Sequence, residues 1–193
     1  MNYRFLFASI KNILTTPRNY WNTTLSEPAS TKLIRNSLVF PLVLLVTLAG
    51  ITGSAIFVNT EMPLLYSILH GVKTFILLTA VIYSTSFILK EITYPLDLGR
   101  DFSIAFRLVT FSMVPFLLCS IVSSAFESLL FLNILGLYGL YVFWSGANAI
   151  LNPPQHKRMP LLIAATIVMT GFYIALDFFF TMLTDRVFYA FFD

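Results

Sequence analysis

Cysteine and charge are the scarcest things in this chain, and each shortage closes off a class of chemistry. The single cysteine, Cys119, rules out an intrachain disulfide framework or zinc cluster and leaves the redox compartment open. Charged residues make up 11% of the 193, under half of the roughly 25% usual in soluble domains. The basic residues are spread along the chain rather than clustered, so nothing resembles a nucleic-acid-binding surface. A Gly-rich phosphate loop is missing, and no cofactor or metal motif stands in its place. The N-terminus has no cleavable signal pattern, because Lys11 interrupts a short apolar stretch and no small-residue cleavage site follows.

What the chain has in abundance is apolar length. Hydrophobic residues reach 58% and include 20 phenylalanines. They gather into runs at Leu38–Val58, Leu64–Leu89, Leu108–Ala125, Ser128–Ile150 and Met159–Leu183. Each approaches or exceeds the roughly 20 residues a helix needs to cross a hydrocarbon core of about 30 Å. A bilayer offers no water to unpaired backbone groups, so segments this apolar must cross as helices. The sequence therefore predicts an all-α, polytopic membrane protein with five spans.

The few basic residues report orientation. Arg4, Lys11, Arg18, Lys32 and Arg35 precede the first run; Lys90, Arg100 and Arg107 separate the second from the third; Lys157 and Arg158 separate the fourth from the fifth. The connections around Asn59–Met62 and Phe126–Glu127 have no Lys or Arg, and only Arg186 departs from the alternation. The excess of Lys and Arg in cytoplasmic loops places the N-terminus inside and, after five crossings, the C-terminus outside. Asn22-Thr23-Thr24 matches a glycosylation sequon, but this topology leaves it in the cytoplasm.

Residues 1–36 read as an N-terminal cytoplasmic segment, and 37–193 as the five-helix transmembrane domain. Within the first, Leu6, Ile10, Ile13 and Leu14 share one helical face while Arg4, Lys11 and Asn12 occupy others. That pattern predicts a short amphipathic helix lying in the interface, either as an anchor on anionic headgroups or as a docking site for a partner. Pro17 ends it, and Tyr20-Trp21 follow as amphipathic rings suited to the headgroup level. Tyr94–Arg107, with Pro95, Gly99 and alternating charges, reads as a loop entering the third span.

The order of these features resembles a known family. The amphipathic helix leads into Pro17-Arg-Asn-Tyr-Trp21 with Glu27 beyond; a charged loop leads into Asp101-Phe-Ser-Ile-Ala-Phe-Arg-Leu-Val-Thr-Phe-Ser-Met-Val-Pro115; the fourth span ends in Trp144-Ser-Gly-Ala-Asn148. This is similar to the bacterial branch of the Yip domain family, the Ypt/Rab-interacting membrane proteins. The resemblance covers nearly the whole chain. It implies five spans, a cytoplasmic N-terminus and a bacterial cytoplasmic membrane. The Tyr-Gly-Pro motif typical of eukaryotic members is not matched, so their Rab-type GTPase partner is not carried over.

Polar residues inside the spans are the candidate site. Thr166, Thr170, Tyr173, Asp177, Thr181 and Thr184 recur at three- and four-residue spacing, a polar stripe on the fifth helix. Tyr66, His70 and Lys73 share a face of the second. From the outer end, a rise of about 1.5 Å per residue puts Lys73 about 16 Å deep, His70 about 12 Å and Asp177 about 10 Å. A charge in a span costs about 2.5–3.5 kcal/mol, so Asp177 is expected to pair with Lys73 or His70. Glu127, Asn133 and Glu61 lie at the same end and could join. His70 with Glu127 or Asp177 is a poor match to tight zinc sites, though it could suit a harder divalent ion.

Such a cluster reads either as packing glue between helices or as a polar cavity for a solute, proton or lipid headgroup. Small residues at Gly50, Gly53, Ser54, Gly136, Gly139 and Gly146 would let helices approach closely, within one bundle or between two copies. Pro115 is expected to kink the third span. Catalysis is disfavoured. Ser145-Gly146 lacks the leading glycine of a rhomboid-type motif, and Asp177 is the only deep aspartate, whereas aspartyl chemistry needs two carboxylates sharing a proton. The sequence thus points to a non-catalytic adaptor or organiser contacting membrane lipids, a membrane-protein partner or a second copy. The alternative is a small-solute, ion or lipid transporter or channel built on His70, Lys73, Glu127 and Asp177.

Overall fold

Proline and polar side chains set where the helices begin. The computed structural model describes residues 3–26, 29–58, 62–96 and 98–190, without the side chains of Ser26 and Glu127. Among them every regular element is helical: α1 (Tyr3–Thr15), α2 (Pro17–Ser26), α3 (Thr31–Phe57), α4 (Pro63–Thr93), α5 (Phe102–Ala125), a 3-10 segment (Glu127–Leu137) running into α6 (Tyr138–Ile150), and α7 (Gln155–Tyr189). Pro63 occupies the first position of α4, where a missing N–H costs nothing. Ser30 caps α3 by accepting from the Leu33 N–H at 3.2 Å, and Asp101 caps α5 through the Ser103 N–H at 2.7 Å. In α3 the turn Arg35–Val39 widens, so that the Phe40 N–H reaches back to the Arg35 carbonyl. The wide turn sits just before Pro41, whose ring crowds the preceding turn. Pro115 lies inside α5 without ending it.

Five helices are long and apolar enough to cross a membrane: α3, α4, α5, the 3-10 segment with α6, and α7. They alternate in direction through short connections. One end of the bundle collects the connections near Lys32, Arg100 and Lys157 and is called the basic end here; the opposite one is the far end. At the basic end Arg100 pairs with Glu91 at 2.9 Å, and the Lys157 ammonium donates to the Leu96 carbonyl at 2.8 Å, tying the start of α7 to the α4–α5 connection.

The third of these five helices, α5, is the centre of the bundle. It packs on α3, α4, α6 and the 3-10 segment, and 67% of its most apolar stretch is buried, against 11% for α7. That difference makes α7 a peripheral wall, leaning chiefly on α4 and more lightly on α6.

The N-terminal segment departs from its expected surface role. Pro17 opens α2 rather than merely ending α1, and residues 31–36, assigned by sequence to that segment, are the first turns of α3. Leu6, Ser9 and Ile13 form the buried face of α1, while Leu14 is 40% exposed. Trp21 is not at the bundle surface: it is 0% exposed, and its indole N–H donates to the Val142 carbonyl at 3.1 Å. Phe111 meets the indole edge-on at 5.5 Å. The ring fits because residue 146 is glycine, where a Cβ would run into the indole. The Tyr20 hydroxyl donates to Ser9 Oγ at 3.0 Å, and the Tyr138 hydroxyl to the Leu14 carbonyl at 3.1 Å. Thus α1 and α2 form a hairpin built into the bundle.

Small residues serve the interior of a single copy. A Cβ at Gly139 would collide with the Ser112 carbonyl, so α6 crosses α5 at a separation only glycine permits.

Candidate functional site

Tyr173, Asp177 and Thr181 of the α7 stripe turn toward the polar face of α4, whereas Thr170 is exposed. Lys73 Nζ lies 2.9 Å from Asp177 Oδ1 and donates to Thr181 Oγ1 at 2.6 Å. The Thr181 hydroxyl in turn donates to the Asp177 carbonyl at 2.7 Å, so its lone pairs are turned toward the ammonium. The Lys73 side chain is 13% exposed and that of Asp177 42%. This pairing relieves the cost of a lone charge in an apolar span. The two opposite charges of the pair cancel.

Around the pair lies a cavity of about 250 Å³. Gly50 and Ser54 of α3, Tyr66, His70 and Thr74 of α4, Ser120, Ser123 and Ser124 of α5, Asn133 of the 3-10 segment and Tyr173 of α7 wall it. Tyr66 stacks along His70 with centroids 6.3 Å apart, and Phe188 closes on Tyr66 edge-on at 5.6 Å. Ser123 donates to the Asn133 side-chain oxygen at 3.0 Å, joining α5 to the 3-10 segment. Hydroxyls, an amide, an imidazole and an ion pair therefore converge on one space. Its size is far above the roughly 10–15 Å³ that admits a single water.

The 3-10 segment is where structure departs most from an expected plain α-helix. The backbone kinks at Leu129, whose φ of −103° and ψ of 17° are not helical, and the 3-10 stretch that follows to Leu137 still exceeds the usual 3–4 residues. With three residues per turn, Leu130, Asn133 and Gly136 fall on one stripe, and that stripe lines the cavities. At 3.6 residues per turn the same positions would drift around the helix.

A second cavity, of about 220 Å³, adjoins the first. Val81, Met113, Phe116, Leu140, Phe143, Ala165 and Met169 make it mainly apolar. Asn133 and Tyr173 line both cavities, and Phe116 holds the Tyr173 ring edge-on at 5.6 Å. Thr166 and Thr170 of the stripe face this second space. The Thr166 hydroxyl is bonded to the Leu162 carbonyl at 2.8 Å.

Of the residues singled out from sequence, His70, Lys73, Asn133 and Asp177 come together around the polar cavity. Glu127 begins the 3-10 segment, but its side chain lies outside the described residues, as does Glu61. Among the described residues no group of three His, Cys, Asp or Glu could hold a metal ion. The sequence reading missed the serine wall of α5. Ser120, Ser123 and Ser124 recur at three- and four-residue spacing within an apolar span, a signal of the same kind as the α7 stripe.

Comparison of the chain with protein-family models, with curated proteins and with solved structures found no match.

Proposed function

We propose that this chain is a non-catalytic multi-pass membrane protein of Yip-like type whose polar cavity holds a small solute or lipid headgroup. Its basic end faces the cytoplasm of a bacterial cell, by the distribution of Lys and Arg, which puts the cavity in the outer half of the bilayer. The observation that carries this reading is the cavity of about 250 Å³ around the Lys73–Asp177 pair. Packing glue alone would join polar side chains and leave no space between them. Here the side chains make such contacts and also border a space with room for a ligand, with a partly exposed carboxylate at its edge.

An organiser role through membrane lipids has its own support on α1. Tyr3 and Phe7, beside Arg4, are 61% and 69% exposed and suit contact with a lipid surface. Tyr20 and Trp21 belong to the bundle, so they offer little to a protein partner.

Native mass spectrometry of the protein released from mild detergent, with and without Asp177→Asn, tests the cavity reading. A small adduct retained by the wild type and lost from the variant is the expected result. Ligand-free particles of equal mass and stability from both would reduce the polar cluster to packing.

A further inference from the structure

We infer that the two cavities form one site for an uncharged amphiphile, with a hydroxyl- or carbonyl-bearing head beside Lys73 and Asp177 and its hydrocarbon chain in the apolar space. The inference rests on the polar-cavity reading above and names its ligand class. Charge selects the head. Lys73 Nζ and Asp177 Oδ1 are 2.9 Å apart, so an anionic head would share the ammonium with a carboxylate beside it, and a cationic head would meet the ammonium itself. A neutral head that both donates and accepts meets neither repulsion, and finds hydroxyls and the Asn133 amide on the walls.

The continuity of the walls selects the tail. Asn133 and Tyr173 border both spaces, one face polar and one apolar. Thr166, at the apolar end, and Asp177, at the polar end, are separated by about 16 Å along α7 at 1.5 Å per residue, a length suited to a chain rather than a compact solute. An empty apolar cavity forfeits dispersion contacts on its lining. A chain drawn from the bilayer restores them without any dehydration step, because lipid tails are as apolar as the lining. Entry is from the side, past α7, which is the least buried spanning helix and leans chiefly on α4.

The test uses the full-length protein in detergent with monooleoylglycerol, oleate and glycerol as separate probes, read by native mass spectrometry and by the shift in melting temperature. Ala165→Phe fills the apolar cavity, and Ile167→Phe, on the 65% exposed outward side of the same helix, controls for the added ring. Where Ala165→Phe lowers the yield of folded protein, Ala165→Leu gives a smaller plug. The inference expects monooleoylglycerol to be retained at least about tenfold better than oleate, and to lose at least about tenfold in the Ala165 variants but not in Ile167→Phe. Equal retention of oleate, or unchanged retention in the Ala165 variants, overturns it. Glycerol held as firmly as monooleoylglycerol, with no effect of the Ala165 variants, overturns the amphiphile and leaves the polar-cavity reading standing. No probe retained, with Asp177→Asn indistinguishable from wild type, overturns both.

Discussion

Replacing Trp21 separates the buried hairpin from a surface anchor. Trp21 is 0% exposed, donates one hydrogen bond to the Val142 carbonyl, and meets the edges of Phe111 and Tyr20 at 5.5 and 6.2 Å. Emptying such a position in a soluble core costs about 3–5 kcal/mol. Two corrections apply. The Val142 carbonyl lies inside α6, where the backbone already supplies a donor, so losing the indole leaves no orphaned acceptor. The hydrophobic share shrinks where lipid rather than water surrounds the bundle. Trp21→Ala should therefore cost about 2–4 kcal/mol, and Trp21→Phe about 1–2, mostly the hydrogen bond and lost area. Reversible unfolding in mixed micelles with increasing dodecyl sulfate reads these differences. The chain has two tryptophans, so a Trp144→Phe background leaves Trp21 as the only indole. Its fluorescence should be shielded from iodide until the protein unfolds. A loss under about 1 kcal/mol for the alanine variant, together with ready iodide quenching of the native state, would refute the buried placement.

Three further perturbations probe other parts of the argument. Lys73→Asp or Asp177→Lys alone should destabilise by about 1–3 kcal/mol, below the 3–5 of a fully buried pair because the carboxylate is partly exposed; the double exchange should recover most of it in the same unfolding assay. Gly139→Ala should cost about 1–3 kcal/mol, since its Cβ meets the Ser112 carbonyl. Gly171→Ala, with open space around it, should be neutral or raise stability by up to about 1 kcal/mol through helix propensity, and a thermal melt distinguishes the two. In a Cys119→Ser background, a cysteine at Ser128 should react with a membrane-impermeant maleimide in intact cells, and one at Arg100 only after permeabilisation. The reverse pattern would invert the orientation.

Much of this protein could be read before any packing was known. Apolar runs of about 20 residues have one solution in a bilayer, so five helices long and apolar enough to cross one follow from composition and length alone. The turn of Tyr173, Asp177 and Thr181 toward α4 followed from their spacing, because a costly polar group needs a partner away from lipid. The same cost narrowed the partner of Asp177 to Lys73 or His70.

Other features depend on which helices become neighbours, and no local pattern encodes that. Packing chose Lys73 over His70 by setting Nζ 2.9 Å from Asp177. It buried Trp21 in the slot at Gly146, bonded to the Val142 carbonyl, a contact across more than a hundred residues of chain. Local rules read Glu127–Leu137 as ordinary helix, yet the chain kinks at Leu129 and continues as a 3-10 stretch whose three-residue period lines up Leu130, Asn133 and Gly136. The serines of α5 are a cavity wall only in company with α3, α4, the 3-10 segment and α7. Sequence determined what had to leave water and which charges needed company; tertiary structure decided where space remained between the helices, because a cavity belongs to several surfaces at once.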